Sequence, residues 1–258
     1  MRPYLAAALA ALFIVVATTA SAQAIVTVDR NVGAAATHAF KFAHVPSPLG
    51  DDAGTKAKLK IVDGDRDMNG YTVEALNDGL LPRDEDEPGA NFFFDAGTGG
   101  GRITMDLGSA AAIAQVNTYS WHPNTRGPQI YTLYAADGKA ANFNPAPKNG
   151  VDPTTCGWTK ITNVDTTPKN PTADMGGQYG VSISDSKGSI GTFRFLLFEV
   201  AVTETFDDYG NTFYSEIDVV TKTTSSGHLA IGSSGHRRAS AQSTKHSAPS
   251  TSTKAQST

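Results

Sequence analysis

Residues 101–138 of the chain read GRITMDLGSAAAIAQVNTYSWHPNTRGPQIYTLYAADG. This stretch predicts three strands, because β-branched and aromatic residues recur at strand-like spacing between glycine-containing or polar turns. The predicted strands are Arg102–Leu107, Ile113–Ser120 and Gln129–Ala136. Between the last two lies a polar loop with an indole, an imidazole, an amide and a guanidinium, from Trp121, His122, Asn124 and Arg126. These groups are suited to holding a polar ligand such as a sugar.

The same alternation continues through most of the chain and predicts an all-β protein. Further strands are predicted at residues 58–61, 91–94, 158–164, 179–183, 192–203 and 212–219. Turn-forming glycine, proline, asparagine and aspartate residues separate them. About eight short strands with polar loops indicate an antiparallel jelly-roll sandwich. The long segments 138–157 and 165–178 are predicted to be surface insertions.

Both ends of the chain differ from the body in composition. Residues 1–24 have the form of a secretory signal peptide, with Arg2 before a short apolar run and small residues at the end. Residues 221–258 are rich in serine and threonine, carry basic but no acidic side chains, and are predicted to be disordered. The sequence therefore predicts an exported protein, secreted, periplasmic or at the cell surface, without a transmembrane span.

The distribution of charge bears on the kind of partner. All 25 acidic residues lie in the body between the two ends, which makes the body strongly acidic. An acidic body argues against nucleic-acid binding. Cys156 is the chain's one cysteine, so no internal disulfide can form, and an inert, buried thiol is expected.

Catalytic patterns are weak throughout the sequence. There is no Gly-x-Ser-x-Gly motif and no histidine pair at metal-binding spacing. The four consecutive acids at Asp84–Glu87 precede Pro88-Gly89, which indicates an exposed loop rather than a pair of buried catalytic carboxyls. We therefore expect a protein that is not an enzyme, although an uncharacterised hydrolase built on the sandwich stays an alternative.

Four motifs together resemble the discoidin or coagulation-factor type C domains, a family of galactose-binding-like jelly rolls. They are the turn Leu76–Gly79, the strand Arg102–Gly108, the strand–loop–strand Val116–Gly138, and the closing pair Phe193–Val200 and Phe213–Val219. The resemblance implies a non-catalytic domain over residues 71–220 that binds glycans, lipids or protein surfaces through loops at one end. Residues 25–70 precede the usual start of the family domain and are expected to form an N-terminal extension packed on the sandwich, either an added strand pair or a cap.

Two calcium sites are considered. Asp63, Asp65, Asp67, Asn69 and Glu74 place oxygen side chains at the spacing of a helix-loop-helix calcium loop. Met68 stands where that loop needs glycine, so a solvated acidic turn is the alternative. Separately, the resemblance implies a structural calcium near the early Asp-Gly turn and the closing strand. Asp78 and Glu216 match those positions. The alternative is that Asp78 forms an Asx turn and Glu216 pairs with a lysine.

The leading functional hypothesis is an exported, non-catalytic module that binds a carbohydrate or a cell-surface glycan. Trp121, His122, Asn124, Arg126 and Tyr209 are the candidate ligand contacts, and calcium is the candidate structural cofactor. The alternative is a structural or envelope domain that packs against partner proteins and has no sugar site. Burial of Trp121 and pairing of Arg126 would favour that alternative.

Overall fold

A computed structural model describes residues 24–170 and 174–222. These residues form eight strands, joined by short 3-10 helices at Gly33–Ala35, Val73–Leu76, Pro88–Ala90 and Pro153–Cys156. The strands are β1 (Ala24–Asn31), β2 (Lys58–Asp63), β3 (Gly101–His122), β4 (Ile130–Ala136), β5 (Thr159–Asp165), β6 (Gly177–Asp185), β7 (Gly191–Val200) and β8 (Tyr214–Thr221). The predicted all-β antiparallel jelly roll is confirmed. The predicted signal peptide and tail lie outside the described residues, apart from Ala24, Thr221 and Lys222.

Strand β3 organises the fold because each of its two halves pairs with two other strands, whereas residues 107–110 between the halves have no register partner. Its first half lies between β2 and β7, and its second half lies between β6 and β8, all antiparallel. β7 continues to β4 and then β5, while β6 continues to β1. One strand is thus shared by both layers of the sandwich, and its C-terminal end delivers the β3–β4 loop to one end of the domain.

The structure corrects the prediction of two separate strands over residues 102–120. They form one strand of 22 residues, and the register against β7 jumps from Asp106 to Ala111. Gly108 lies in this bulge with φ of +80°. Arg194 on β7 holds the start of the bulge through hydrogen bonds of 2.7 and 2.8 Å to the Asp106 carboxylate. A bulge bends a strand without ending it, so the glycine marks a bend between the two layers.

Two other elements differ from the predicted ones. No strand was predicted specifically at the position of β1, which belongs to the N-terminal extension and pairs with β6 over its entire length. Residues 91–94 were predicted to be a strand but form only isolated bridges, from Phe92 to Tyr214 and from Phe94 to Arg66. The aromatic rings of residues 91–94 are fully buried, so the apolar character of this segment reflects burial and not strand formation.

The main core lies between the two layers and is built from the inward residues of β3, β4, β6, β7 and β8. The outer faces are also covered. Phe40 and Phe42 pack on Tyr119 and Trp121 of β3, whereas the segment around Phe143 packs on the outer face of β4 and β7. The 138–157 insertion therefore covers a sheet face. Cys156 lies there, half buried, and burial raises the pKa of its thiol, so it is chemically quiet.

Candidate functional site

An open groove of about 870 Å³ lies at the end of the sandwich where β3 runs into β4. Four chain segments line it: residues 67–69, 86–96, 122–126 and 207–213. The volume is within the range of small-molecule binding sites. His122, Asn124, Arg126 and Tyr209, four of the five predicted ligand residues, line this groove together.

Arg126 is the most constrained of these side chains. Its guanidinium lies 4.4 Å from the ring centroid of Phe93 and 4.2 Å from that of Phe213, and because these two rings stack on each other 4.0 Å apart, it packs beside the stacked pair. Nε donates a hydrogen bond to the carbonyl oxygen of Asn211 at 3.0 Å. Nη2 is buried and has no hydrogen-bond partner in the described part of the chain. A buried donor without a partner is costly, which makes Nη2 a point where a ligand oxygen would bind.

His122 supplies a second donor at the floor of the groove. Its Nδ1 accepts a hydrogen bond from the backbone N–H of Asn124 at 3.3 Å, which assigns the proton of the neutral ring to Nε2. Burial, aided by the charge of Arg126, lowers the pKa of His122 to about 4. The Asp86 carboxylate lies 3.8 Å from Nε2, too far for a hydrogen bond. Nε2–H is therefore free to donate to a ligand at neutral pH.

The rim of the groove offers exposed groups of two kinds. Asn124 is exposed, Tyr209 is 56 % exposed, and Met68 is 84 % exposed. The Tyr209 ring lies 5.9 Å from the Arg126 guanidinium, so this ring and the guanidinium border the same space. An exposed ring beside convergent donors can stack on the C–H face of a sugar.

The structure corrects the placement of Trp121. Its side chain is only 6 % exposed and packs against Phe40, with ring centroids 5.8 Å apart, on the outer face of β3. Successive side chains of a strand point to opposite faces. β3 extends through His122, so His122 reaches the groove and Trp121 cannot. Trp121 is a packing residue.

Sequence reasoning missed the two rings that hold Arg126 and the acids around the groove. Phe93 and Phe213 stack on each other with centroids 4.0 Å apart, and His122 contacts Phe213 edge-on. Four carboxylates also line the groove, those of Asp67, Asp86, Asp95 and Asp207. Phe93 lies in the aromatic run 91–94 and Phe213 directly precedes β8, but their pairing is a long-range contact that no local pattern shows.

The residues of the predicted calcium loop do not form one ligand set. The Asp63 carboxylate accepts hydrogen bonds from the backbone N–H groups of Gly64 and Asn149, at 2.9 and 2.5 Å. The Asp67 carboxylate accepts from Asn69 and faces the groove. Asp65 belongs to the extended segment between them, where its carbonyl oxygen accepts from the backbone of Asp95. Within residues 24–170 and 174–222, no three acidic, histidine or cysteine side chains are arranged to hold a metal ion.

Glu216 and the Asp78–Gly79 turn are adjacent in the structure. The Glu216 carboxylate is 1 % exposed and accepts a hydrogen bond of 3.1 Å from the backbone N–H of Gly79. Burial, together with the charge of Asp218, raises the pKa of Glu216 to about 9. Burial likewise raises the pKa of Asp218 to about 7, and one of its carboxylate oxygens has no partner among the described groups.

Two buried carboxyls that share no counter-charge are a costly arrangement. Their donor set is oxygen only, supplemented by exposed Asp78 in the same turn, and it therefore matches a hard cation such as calcium in chemistry. The match concerns ligand type alone, because no three acidic, histidine or cysteine side chains in the described ranges are arranged to hold a metal ion.

Comparison with known proteins gives similarity of structure only. No protein-family model matches the sequence, and no curated protein sequence matches it either. Among solved structures, the chain is similar to CpGH89CBM32-6 from Clostridium perfringens, with 16 % identity and a TM-score of 0.35 over 67 % of this chain and 100 % of that one. It is also similar to a Streptococcus pneumoniae fucose binding module, with 10 % identity and a TM-score of 0.38 over 67 % and 98 %.

A third similar structure is CpGH89CBM32-5 from Clostridium perfringens in complex with GalNAc-β-1,3-galactose. It shows 14 % identity and a TM-score of 0.39 over 66 % of this chain and 100 % of that one. At such identities a likeness concerns the fold and does not transfer a ligand. No helix in the described ranges is long and apolar enough to cross a membrane. The architecture itself, an antiparallel jelly roll of eight strands, agrees with the galactose-binding-like jelly roll that the sequence motifs imply.

Proposed function

We propose that this protein is an exported, non-catalytic module that binds carbohydrate in the groove around Arg126. The unpartnered Nη2 of Arg126 carries the proposal, because a guanidinium held against a pair of stacked rings, with one buried donor unused, can bind an acceptor. Sugar hydroxyl oxygens are such acceptors, and they can accept from His122 Nε2–H at the same time. Tyr209 supplies the exposed ring for stacking.

The non-catalytic part of the proposal rests on the state of the groove's titratable groups. His122 is neutral and its Nδ1 is already used by the backbone of Asn124. Asp86 lies in an exposed turn, and the Asp207 carboxylate accepts a hydrogen bond from the backbone of Tyr209. Asp67 is the one buried carboxylate among the residues that line the groove, and it accepts hydrogen bonds from Asn69, so the lining offers no second buried carboxyl to pair with it for glycoside hydrolysis.

Export and the structural calcium complete the proposal. The signal-peptide form of residues 1–24 supports export, and an exported protein would be secreted, periplasmic or at the cell surface. Calcium beside Glu216 and Asp78 would neutralise the buried carboxyls and tie the Asp78–Gly79 turn to β8. Backbone carbonyls would supply the remaining oxygen ligands.

A glycan array probed with the purified protein tests the proposed function. Binding to a defined set of glycans, followed by its loss in Arg126→Ala, is the expected result. Arg83→Ala, an exposed arginine outside the groove, is the matched control and should bind as the wild type does. A folded wild-type protein that binds no glycan would overturn the proposal and favour the protein-interaction alternative, with which the burial of Trp121 also agrees.

A further inference from the structure

The charge of the groove is far from balanced, and this imbalance bears on the class of sugar. Four carboxylates line the groove, from Asp67, Asp86, Asp95 and Asp207, whereas Arg126 is its one lining cation. His122 adds no charge, because burial lowers its pKa to about 4. The groove therefore has a net charge close to −3 at neutral pH.

The one cation is not available to neutralise an acidic ligand fully. Arg126 is 8 % exposed and packs beside the stacked rings of Phe93 and Phe213, so little of its guanidinium is open to a ligand. What it lacks is a single acceptor for Nη2. A neutral hydroxyl oxygen meets that need, whereas a ligand carboxylate would also approach the surrounding acids. Like charges placed close together in a partly desolvated site repel each other.

The carboxylates of the groove require hydrogen-bond donors, whereas Arg126 requires an acceptor. Asp86 is exposed and makes no hydrogen bond with His122, and Asp95 and Asp207 are exposed on the neighbouring segments. These groups accept from hydroxyl and ammonium donors, and an ammonium group additionally offsets their charge. A ligand that satisfies both sides of the groove presents a hydroxyl oxygen to Arg126 and His122 and a cationic amine to the acids.

We infer that the groove selects amino sugars with a free amine over their N-acetylated counterparts and rejects uronic acids. The inference rests on the proposed carbohydrate-binding function and specifies its ligand class. It follows from the four acids together with the unpartnered, buried donor of Arg126, since the acids alone would not distinguish a ligand from a solvated surface.

Titration calorimetry at pH 6 with three oligosaccharides tests the inference. The probes are a glucosamine oligomer, the N-acetylglucosamine oligomer of the same length, and a glucuronate-containing oligomer. The free amine should bind about tenfold more tightly than the acetylated oligomer at low salt, and the uronate about tenfold more weakly than the acetylated one. The preference for the amine should shrink as salt is raised, because ions screen exposed charges.

Variants of the groove acids distinguish selective binding of the amine in the groove from nonspecific binding of cations to the acidic surface. Asp86→Asn and Asp207→Asn should each reduce the preference for the amine several-fold. Asp84→Asn removes an exposed acid of the same loop that does not line the groove, and it should leave the preference unchanged.

Other binding results would contradict either the preference for the amine or carbohydrate binding itself. Equal or tighter binding of the acetylated oligomer, or an amine preference that Asp84→Asn reduces as much as Asp86→Asn does, overturns the inference while leaving carbohydrate binding in place. No binding to any of the three probes or to the glycan array overturns the proposed function itself.

Discussion

Arg126 and Asn211 are joined by a hydrogen bond of 3.0 Å from Nε of the guanidinium to the backbone carbonyl oxygen of Asn211. Asn211 in turn donates from Nδ2 to the carbonyl oxygen of Asp95 at 2.8 Å. The β3–β4 loop, the segment before β8 and the segment after Phe94 are thus fastened to one another at the groove. Binding groups that are fixed before the ligand arrives lose less conformational entropy on binding.

Arg126→Lys should abolish most of the glycan affinity without unfolding the protein. Lysine keeps the charge and an aliphatic stem but loses the planar guanidinium that packs beside the stacked rings of Phe93 and Phe213 and presents its donors in fixed directions. We expect an affinity loss of at least about tenfold by titration calorimetry. Arg83→Lys is the control, and an unchanged affinity in Arg126→Lys would show that only charge matters at this position.

Trp121→Ala and Tyr209→Ala should have opposite effects on stability and binding. Trp121 is buried against Phe40, so its removal leaves a cavity and should cost about 3–5 kcal/mol of unfolding free energy. Tyr209 is exposed, so its removal should change stability by less than about 0.5 kcal/mol. Urea denaturation measures the first effect. Calorimetry should show a several-fold loss of glycan affinity for Tyr209→Ala, and no loss there would remove Tyr209 from the site.

Stability should fall in mild acid because of His122. Its pKa is lowered to about 4 in the folded protein, while the unfolded chain takes up a proton near pH 6.5. The contribution is therefore fully present above pH 6.5 and is lost as the pH falls toward 4, by about 1.4 kcal/mol per pH unit.

Denaturation curves at pH 7 and pH 5 test this effect. His122→Gln should lose less stability than the wild type between the two pH values, by about 2 kcal/mol. His38→Gln, which removes an exposed histidine, should behave as the wild type does. Parallel pH dependence in His122→Gln and the wild type would contradict the assignment of a neutral, buried His122.

Calcium should raise the melting temperature of the wild type but not that of Glu216→Gln. A ligand that binds only the native state stabilises it by mass action, by about 2.7 kcal/mol at a hundredfold excess over Kd. In chelator at pH 8, Glu216→Gln should be at least as stable as the wild type. The reason is that the buried Glu216, with its pKa near 9, must take up a proton when the cation-free protein folds. Identical wild-type melts in calcium and in chelator would remove the calcium proposal.

Local sequence patterns predicted most of the strands of the fold. Short-range patterns such as the two-residue alternation of Ile130–Ala136 and the turn at Asp137-Gly138 predict a strand from the residues of that strand alone. The position of strand β1 was not predicted. The segment at residues 91–94, which was predicted to be a strand, is a buried segment that forms only isolated bridges. Whether such a segment forms a strand depends on the strand that it pairs with, and that strand is far away in the sequence.

For the candidate site, the sequence by itself determined that a polar loop with His122, Asn124 and Arg126 would stand between two strands. The tertiary structure alone decided which of these side chains share a space. Strand alternation places Trp121 and His122 on opposite faces, but only the packing of Phe40 on Trp121 and the position of His122 in the groove lining show which face borders the groove. The rings around Arg126 come from Phe93 and Phe213, and the acids of the groove come from three other segments. Contacts between distant segments depend on how the two layers close over the core, and no local pattern of residues encodes them.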